Sequence, residues 1–236
     1  MALKVLGILG SPHPFGGSGQ LLRCALEGAQ REGAETKLLS VYDGEIKPCQ
    51  GCIQDEEPNC RFPCIFDDYG KELLIEINQA DVLLIGTPVY WYAPSGLLKN
   101  LIDRMTCLEN MVAYGEPSYM EGKIVGAITV GADAGLTLAG GYLLTVLNAM
   151  GAIVPPWAHA YSRQANKAIF DDRAVMDAIN VGLLAAGLAS RLKGEEGRLS
   201  YLDDHGLLEE IRQKILAQKE VFETQNGKTP LSKSGS

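Results

Sequence analysis

The sequence predicts an open, doubly wound α/β sheet: five parallel strands with helices on both faces. Three observations carry this. Apolar, β-branched-rich runs recur at 3 to 10, 35 to 42, 80 to 90, 123 to 131 and 151 to 161. Several of these runs are apolar at every position rather than at alternate ones, as strands covered on both faces are. Segments of helical period lie between and after them, so strand and helix alternate five times, which is the pattern of right-handed crossovers onto one sheet.

Taken in order, "LKVLGILG" is the first strand, and the Gly/Ser/Pro stretch "GSPHPFGGSG" separates it from a helix over Leu21 to Glu32. "ETKLLSVY" is the second strand. The cysteine-bearing segment from Pro48 to Asp68 follows, then a helix over Tyr69 to Gln79. "ADVLLIGTPVY" is the third strand and leads to a helix over Ser95 to Met105. The insertion "CLENMVAYGEPSYMEG", 107 to 122, has the Tyr, Met and Pro content of an ordered lid or subunit contact. "KIVGAITVG" is the fourth strand, with a helix over Thr137 to Met150. "GAIVPPWAHAY" is the fifth, with a long helix from Asp171 to Leu192. The expected organisation is one domain over 1 to 225 and a polar, Gly/Ser-rich disordered tail over 226 to 236.

Composition bounds the function. Of 236 residues, 46% are hydrophobic and 21% charged, ordinary for a globular chain. The net charge of −8 and the pI near 5.0 argue against a nucleic-acid surface, which needs clustered Lys and Arg. No stretch of about 18 residues is apolar without polar interruption, and the N-terminus reads as a strand rather than as a signal segment. The expected location is cytoplasmic, with neither nucleic acid nor membrane as a partner.

In a doubly wound sheet, ligands bind beyond the carboxyl ends of the strands, so the loops there carry the function. The first faces the positive end of a helix dipole, where unpaired amides favour an anion. Gly16, Gly17 and Gly19 let backbone approach closely, and Ser11 and Ser18 add hydroxyl donors. The stretch has neither the Lys-Ser/Thr ending of a P-loop nor the G-x-G-x-x-G spacing. A monophosphate held by neutral donors fits best.

Together, "GSPHPFGGSGQLL", "IKPCQGC", "CIFDDY" and "ADVLLIGTPVYWYAPSGLLKNLIDRM" resemble the NADPH-dependent FMN reductase family, and within it the iron-sulfur flavoprotein branch, over about residues 3 to 160. The resemblance implies a flavodoxin-like fold and bound FMN. It implies phosphate contacts from Ser11, His13, Gly17, Ser18, Gly19 and Gln20, with His13 standing where Arg is common and Gly17 where Asn is. It places Thr87, Pro88, Val89, Tyr90 and Trp91 against the flavin ring, and Gly131, Ala132 and Gly135 on its other side. No side chain is expected to be catalytic, because hydride transfer belongs to the flavin and the protein's task is to stack and orient the rings.

Four cysteines, Cys49, Cys52, Cys60 and Cys64, make a C-x2-C-x7-C-x3-C pattern. Bunching of this kind suggests metal or redox chemistry rather than a disulfide framework. In iron-sulfur flavoproteins the related segment reads C-x2-C-x2-C and then a fourth Cys before "DD". Here Asp55 stands at the third position, and Cys60 is the replacement. A [4Fe-4S] cluster, zinc and metal-free thiols all stay open. Cys24, and Cys107 with it, read as buried small apolar residues.

The expected activity is an FMN-dependent oxidoreductase passing electrons from NAD(P)H or a reduced carrier such as a ferredoxin to a quinone, a flavin or another small acceptor. The alternatives are an iron-sulfur flavoprotein carrying electrons between proteins, and a thiol- or flavin-based redox sensor. A homodimer or homotetramer is expected, with the 107 to 122 insertion and the apolar 178 to 189 face as candidate contact surfaces. Packing of that face onto its own sheet is the other reading.

Overall fold

A computed structural model describes residues 2–54, 59–192 and 204–227. Five strands, β1 (Lys4–Leu9), β2 (Glu35–Ser40), β3 (Val82–Pro88), β4 (Ile124–Val130) and β5 (His159–Ser162), form one parallel sheet in the order β2-β1-β3-β4-β5. The fold is the flavodoxin-like one expected. β3 and β4 are buried almost throughout because helices cover both faces. Residues of alternate parity point to opposite sides: Val82 and Leu84 join one core, Leu83 and Ile85 the other.

The first core is closed by α1 (Gly17–Arg31), α6 (Asp172–Leu192) and α7 (His205–Gln225). The second is closed by α2 (Tyr69–Gln79), α3 (Gly96–Arg104), the short α4 (Thr106–Glu109) and α5 (Leu136–Ala149). α1 and α6 approach so closely that a Cβ on Gly182 would overlap the Ala25 carbonyl, and one on Gly28 would overlap the Ile179 carbonyl. By length and composition α6 could cross a membrane, but most of its residues are buried within the fold. The 178 to 189 face therefore packs within its own chain rather than offering a subunit contact.

Several boundaries differ from the sequence expectation. α1 begins at Gly17, so Gly17 to Gln20 are its first turn rather than loop. A Cβ on Gly17 would overlap the Ala165 carbonyl and one on Gly19 the Pro14 carbonyl, so close packing explains these two glycines. The fifth strand is much shorter than 151 to 161. Ile153 makes one bridge to Ile124; Pro155 and Pro156, lacking N–H donors, and Trp157 at φ 53° then turn the chain before β5 starts at His159. α7 was not anticipated. Asp204 caps it by accepting from the Gly206 and Leu207 amides, and Leu208, Ile211 and Ile215 bury one stripe. Asn226 closes α7, and the tail from 228 onward lies outside the described residues.

Candidate functional site

The loops after β1, β3 and β4 converge where strand order reverses between β1 and β3. A Cβ on Gly10 would lie 3.1 Å from Thr87 Oγ1, which brings the first and third loops together. One on Gly131 would lie 3.5 Å from Val89 Cβ, and one on Gly135, at φ 91°, 2.7 Å from the Tyr92 ring. The third and fourth loops are thus in contact as well.

In the first loop, Ser11 Oγ accepts from the His13 amide at 3.2 Å, and Gly16 N–H donates to the His13 carbonyl at 3.0 Å. Ser11 is buried and His13 exposed. Gly16 is the extended N-cap of α1 with no side-chain cap, and the amides of Gly17, Ser18 and Gly19 have no intrahelical acceptor. Both amide atoms of Gln20 are buried and have no hydrogen-bond partner. Phe15 packs on Phe222 of α7 with ring centres 4.9 Å apart, and the Arg23 guanidinium lies 4.1 Å from the Phe15 centroid. The unanticipated C-terminal helix therefore holds the tip of this loop.

In the third loop the backbone is largely spent within the protein. Thr87 Oγ1 donates to the Pro88 carbonyl at 2.9 Å and accepts from the Ser95 amide at 3.2 Å. The Val89 amide goes to the Val130 carbonyl and the Gly131 amide to the Ser162 carbonyl. Thr87 is a brace, and Val89 and Gly131 present surface rather than donors. Tyr90 and Ala93 pair as a two-residue hairpin whose central residues, Trp91 and Tyr92, sit at φ 51° and 67°. Such a turn normally takes Asn-Gly, and left-handed backbone at bulky residues costs about 1–2 kcal/mol each. Tyr90, Trp91 and Tyr92 lie on this turn, not on a strand, and all three are exposed, Trp91 at 94%. Ser95, at the N-cap of α3, leaves its buried Oγ without a partner.

The fourth loop rests on His159. Thr129 Oγ1 gives its one proton to the Leu136 carbonyl at 3.0 Å, so the 2.8 Å contact to His159 Nε2 is donated by the imidazole. Burial pushes the His159 pKa down to about 4 from 6.5. The unfolded chain then binds more protons than the folded one between these values, so stability rises with pH across that window. A fall of about 2–3 kcal/mol is expected between pH 6.5 and 4. Urea unfolding of the wild type against His159→Gln, in which this dependence is lost, checks it.

The cysteines form a second constellation, on the α2/α3 side of the sheet. Cys49, Cys52, Cys60 and Cys64 all line one pocket, and Cys107 of α4 lines it too. The Phe62–Pro63 peptide is cis, and the Cys64 amide donates to the Arg61 carbonyl at 2.8 Å, closing the turn. The 107 to 122 insertion clasps this segment: Asn110 Nδ2 donates to the Cys60 carbonyl at 2.7 Å, and Tyr119 packs edge-on against Phe62. Asp55 lies outside the described residues.

Arg104, at the end of α3, was not singled out in the sequence. It donates bidentately to Asp68 at 2.9 and 3.0 Å, to the Lys47 carbonyl and to Cys64 Sγ at 3.1 Å, with 1% and 3% of the Arg104 and Asp68 side chains exposed. The run "IDRMTC" carried it, but a helical Arg normally faces water. Cys64 is lowered to about 5 by the hydrogen bond from Cys107, against the opposing effect of burial, with further help from the Phe66 amide and Arg104. Burial and the neighbouring Cys52 thiol push Cys60 up to about 12. The surroundings thus favour the thiolate at Cys64 and disfavour it at Cys60.

The two implied groups meet these residues differently. The unpaired Gln20 amide, the uncapped α1 N-terminus and the unpaired Ser95 hydroxyl suit a polar ligand such as FMN at the first and third loops. For the metal, the donor set is chemically right, with five thiols on one pocket. Among the described residues, no group of three or more His, Cys, Asp or Glu stands in a geometry that could hold a single ion. A cube offers each thiolate its own iron, so its donors stand farther apart than those of one zinc ion.

An iron-sulfur flavoprotein of Methanocaldococcus jannaschii is 39% identical over 132 residues, covering 56% of this chain and 63% of that protein. Another of Archaeoglobus fulgidus is 31% identical over 156 residues, covering 65% of this chain and 66% of that one. The matches thus span just under two thirds of these relatives. Among solved structures, RosB with a bound riboflavin-5'-phosphate intermediate superposes with TM-score 0.68 at 18% identity, over 100% of this chain and 91% of that one. A flavodoxin from the domain Archaea gives 0.52 at 12% identity, over 80% and 99%. The family profile described as NADPH-dependent FMN reductase matches residues 3–167, and the chain belongs to that family.

Proposed function

We propose that the chain is a flavin-dependent oxidoreductase that holds FMN at the carboxyl edge of β1, β3 and β4, accepts electrons from NAD(P)H or a reduced carrier, and gives them to a quinone, a flavin or another small acceptor. The observation that carries the reading is the convergence of three strand-end loops beside a buried, unpaired Gln20 amide. FMN bound there supplies a ring that takes up two electrons as hydride and passes them on. The chain's own residues bind and orient. The α1 amides at Gly17, Ser18 and Gly19, with the Ser11 and Ser18 hydroxyls, hold the phosphate, and His13 lies exposed at the loop tip beside it. Pro88, Val89 and the Tyr90–Trp91 turn face the ring, with Ala132 beside them and Gly131 and Gly135 packed against Val89 and Tyr92 in support. The exposed aromatic turn also offers surface to a second copy in a homodimer or homotetramer.

An unpaired buried amide costs about 1–3 kcal/mol until something bonds it. Gln20→Leu is therefore expected to leave the apoprotein as stable as the wild type or more so, while weakening FMN roughly tenfold, about 1.4 kcal/mol. FMN fluorescence titration with thermal unfolding reads both, and unchanged affinity removes Gln20 from the site. NADPH and NADH oxidation by the FMN-loaded chain, with and without a benzoquinone, tests the activity. Oxidation no faster than that of free FMN refutes it.

The second reading, an iron-sulfur flavoprotein that carries electrons between proteins, is favoured by the five thiols lining one pocket. Turnover with protein carriers but not with quinones would favour it over the first.

A further inference from the structure

We propose that α7 belongs to the flavin site: through Phe222 it holds the loop after β1 in its phosphate-binding shape, which makes Phe222, Phe15 and Arg23 positioning residues for the FMN phosphate. The proposal rests on the reading above that the phosphate sits at the start of α1. The family profile matches residues 3–167 and does not reach this helix.

A chain of contacts links α7 to the α1 amides. The Phe222 ring, near the end of α7, lies 4.9 Å from the Phe15 ring at an angle of 39°. The Arg23 guanidinium packs on Phe15 as well, 4.1 Å from its centroid. Arg23 Nη1 in turn donates to the Pro14 carbonyl at 2.6 Å and to the Gly19 carbonyl at 3.0 Å. One guanidinium thus ties the residue before Phe15 to the third residue of α1, whose amide has no intrahelical acceptor. There is no slack between them, since a Cβ on Gly19 would lie 2.1 Å from the Pro14 carbonyl oxygen. With both acceptors in the backbone, Arg23 acts on the phosphate through the loop it shapes.

The helix is anchored away from the ring it presents. Leu208, Ile211 and Ile215 enter the first core, and Arg212 Nε donates to the Ile169 carbonyl at 3.0 Å. Lys214 pairs with Glu27 of α1 at 2.5 Å, and Glu210 pairs with Arg31 of α1. Phe222 lies two turns beyond Ile215 and, like Phe15, is half-buried and part of neither core. Removing its ring therefore frees the loop without opening the core. A loop already ordered by α7 has less freedom to lose when the phosphate arrives, and that saving appears as affinity. By linkage, bound FMN strengthens the docking of α7 by the same factor. Riboflavin, which lacks the phosphate, does not share in this coupling.

The test uses the flavin-free full chain. Fluorescence titration gives the affinities for FMN and for riboflavin in wild type, Phe222→Ala and Phe222→Tyr, with thermal unfolding as the check of folding. Phe222→Ala is expected to bind FMN about three- to tenfold more weakly, the scale of one aromatic pair, with its riboflavin affinity unchanged. Phe222→Tyr, which keeps the ring, is expected to bind both flavins as the wild type does. Unchanged FMN affinity in Phe222→Ala overturns the proposal, and so does an equal loss for both flavins, which is the mark of general loosening.

Should Phe222→Ala fail to fold, hydrogen exchange of the wild type at saturating flavin decides. FMN, and not riboflavin, is expected to slow exchange over residues 216–225. Exchange that neither flavin slows, or that both slow alike, refutes the coupling. A wild type that binds neither flavin, or binds the two equally, removes the phosphate site itself, and the role of Phe222 falls with it.

Discussion

Arg104→Met is expected to destabilise the protein by about 3–5 kcal/mol, because it strands the Asp68 carboxylate in a site where only 3% of that side chain is exposed. Asp68 keeps the Lys47 and Lys71 amides as donors, which places the loss toward the lower end of that range. The charge itself is what costs. Arg104→Met/Asp68→Asn, which buries no ion and keeps a side chain able to cap α2, is expected to recover part of the loss. Arg104→Lys is expected to fall between, since an ammonium cannot reproduce the two-pronged contact, the Lys47 carbonyl and Cys64 together. Burial raises the Asp68 pKa, but the Arg104 hydrogen bonds and the Lys47 amide lower it further, and the net position is below the usual value. Its contribution is complete above the unfolded pKa and is lost as pH falls through the folded one. Urea unfolding at pH 7 compared with pH 3 checks both statements. A change below about 1 kcal/mol at pH 7 would show that the pair is solvated.

Gly182→Ala is expected to cost about 3 kcal/mol, at the top of the usual range for overpacking. The new Cβ would meet the Ala25 carbonyl of α1, and backbone cannot step aside as a side-chain tip can. The helices would have to part, loosening the Leu21, Ala25, Ile179 and Val181 contacts of the first core. The melting temperature is expected to fall by about 6–12 °C for a chain of this size. Gly141→Ala is the control: nothing lies within 4 Å of its Cβ position, and it is exposed on the outer face of α5. That substitution is expected to stabilise by about 0.5–1 kcal/mol through helix propensity alone. Equal effects of the two substitutions would mean that the α1/α6 crossing is looser than its backbone contacts imply.

Much of the architecture was readable because it repeats at a short period. The apolar runs of β1, β3 and β4 are continuous since helices cover both faces, and α2 has the bounds its periodicity predicts, with Asp68 as its cap. The fifth strand was misplaced because apolar content around Ile153 was read without weighing Pro155 and Pro156, which remove two donors from any ladder. α7 was missed because its stripe, Leu208, Ile211 and Ile215, is narrow and follows a long polar stretch. In the first loop, the Gly/Ser stretch after β1 turned out to include the first turn of α1, and close packing explains Gly17 and Gly19. They admit the carbonyls of Ala165 and Pro14, groups that are distant or invisible in a local reading.

Local chemistry, then, settled the first four strands and the helices between them, which loops follow those strands, and that several thiols lie within one short segment, since each depends on residues near in sequence. What tertiary structure alone decided are the groups that meet across long separations. Cys107 faces Cys64, Arg104 is buried on Asp68, Phe222 holds Phe15, and the Trp91 turn stands exposed on a left-handed backbone. Composition and period are blind to such pairings because packing selects partners by the shape of the space between elements, and that space exists only once the sheet has assembled.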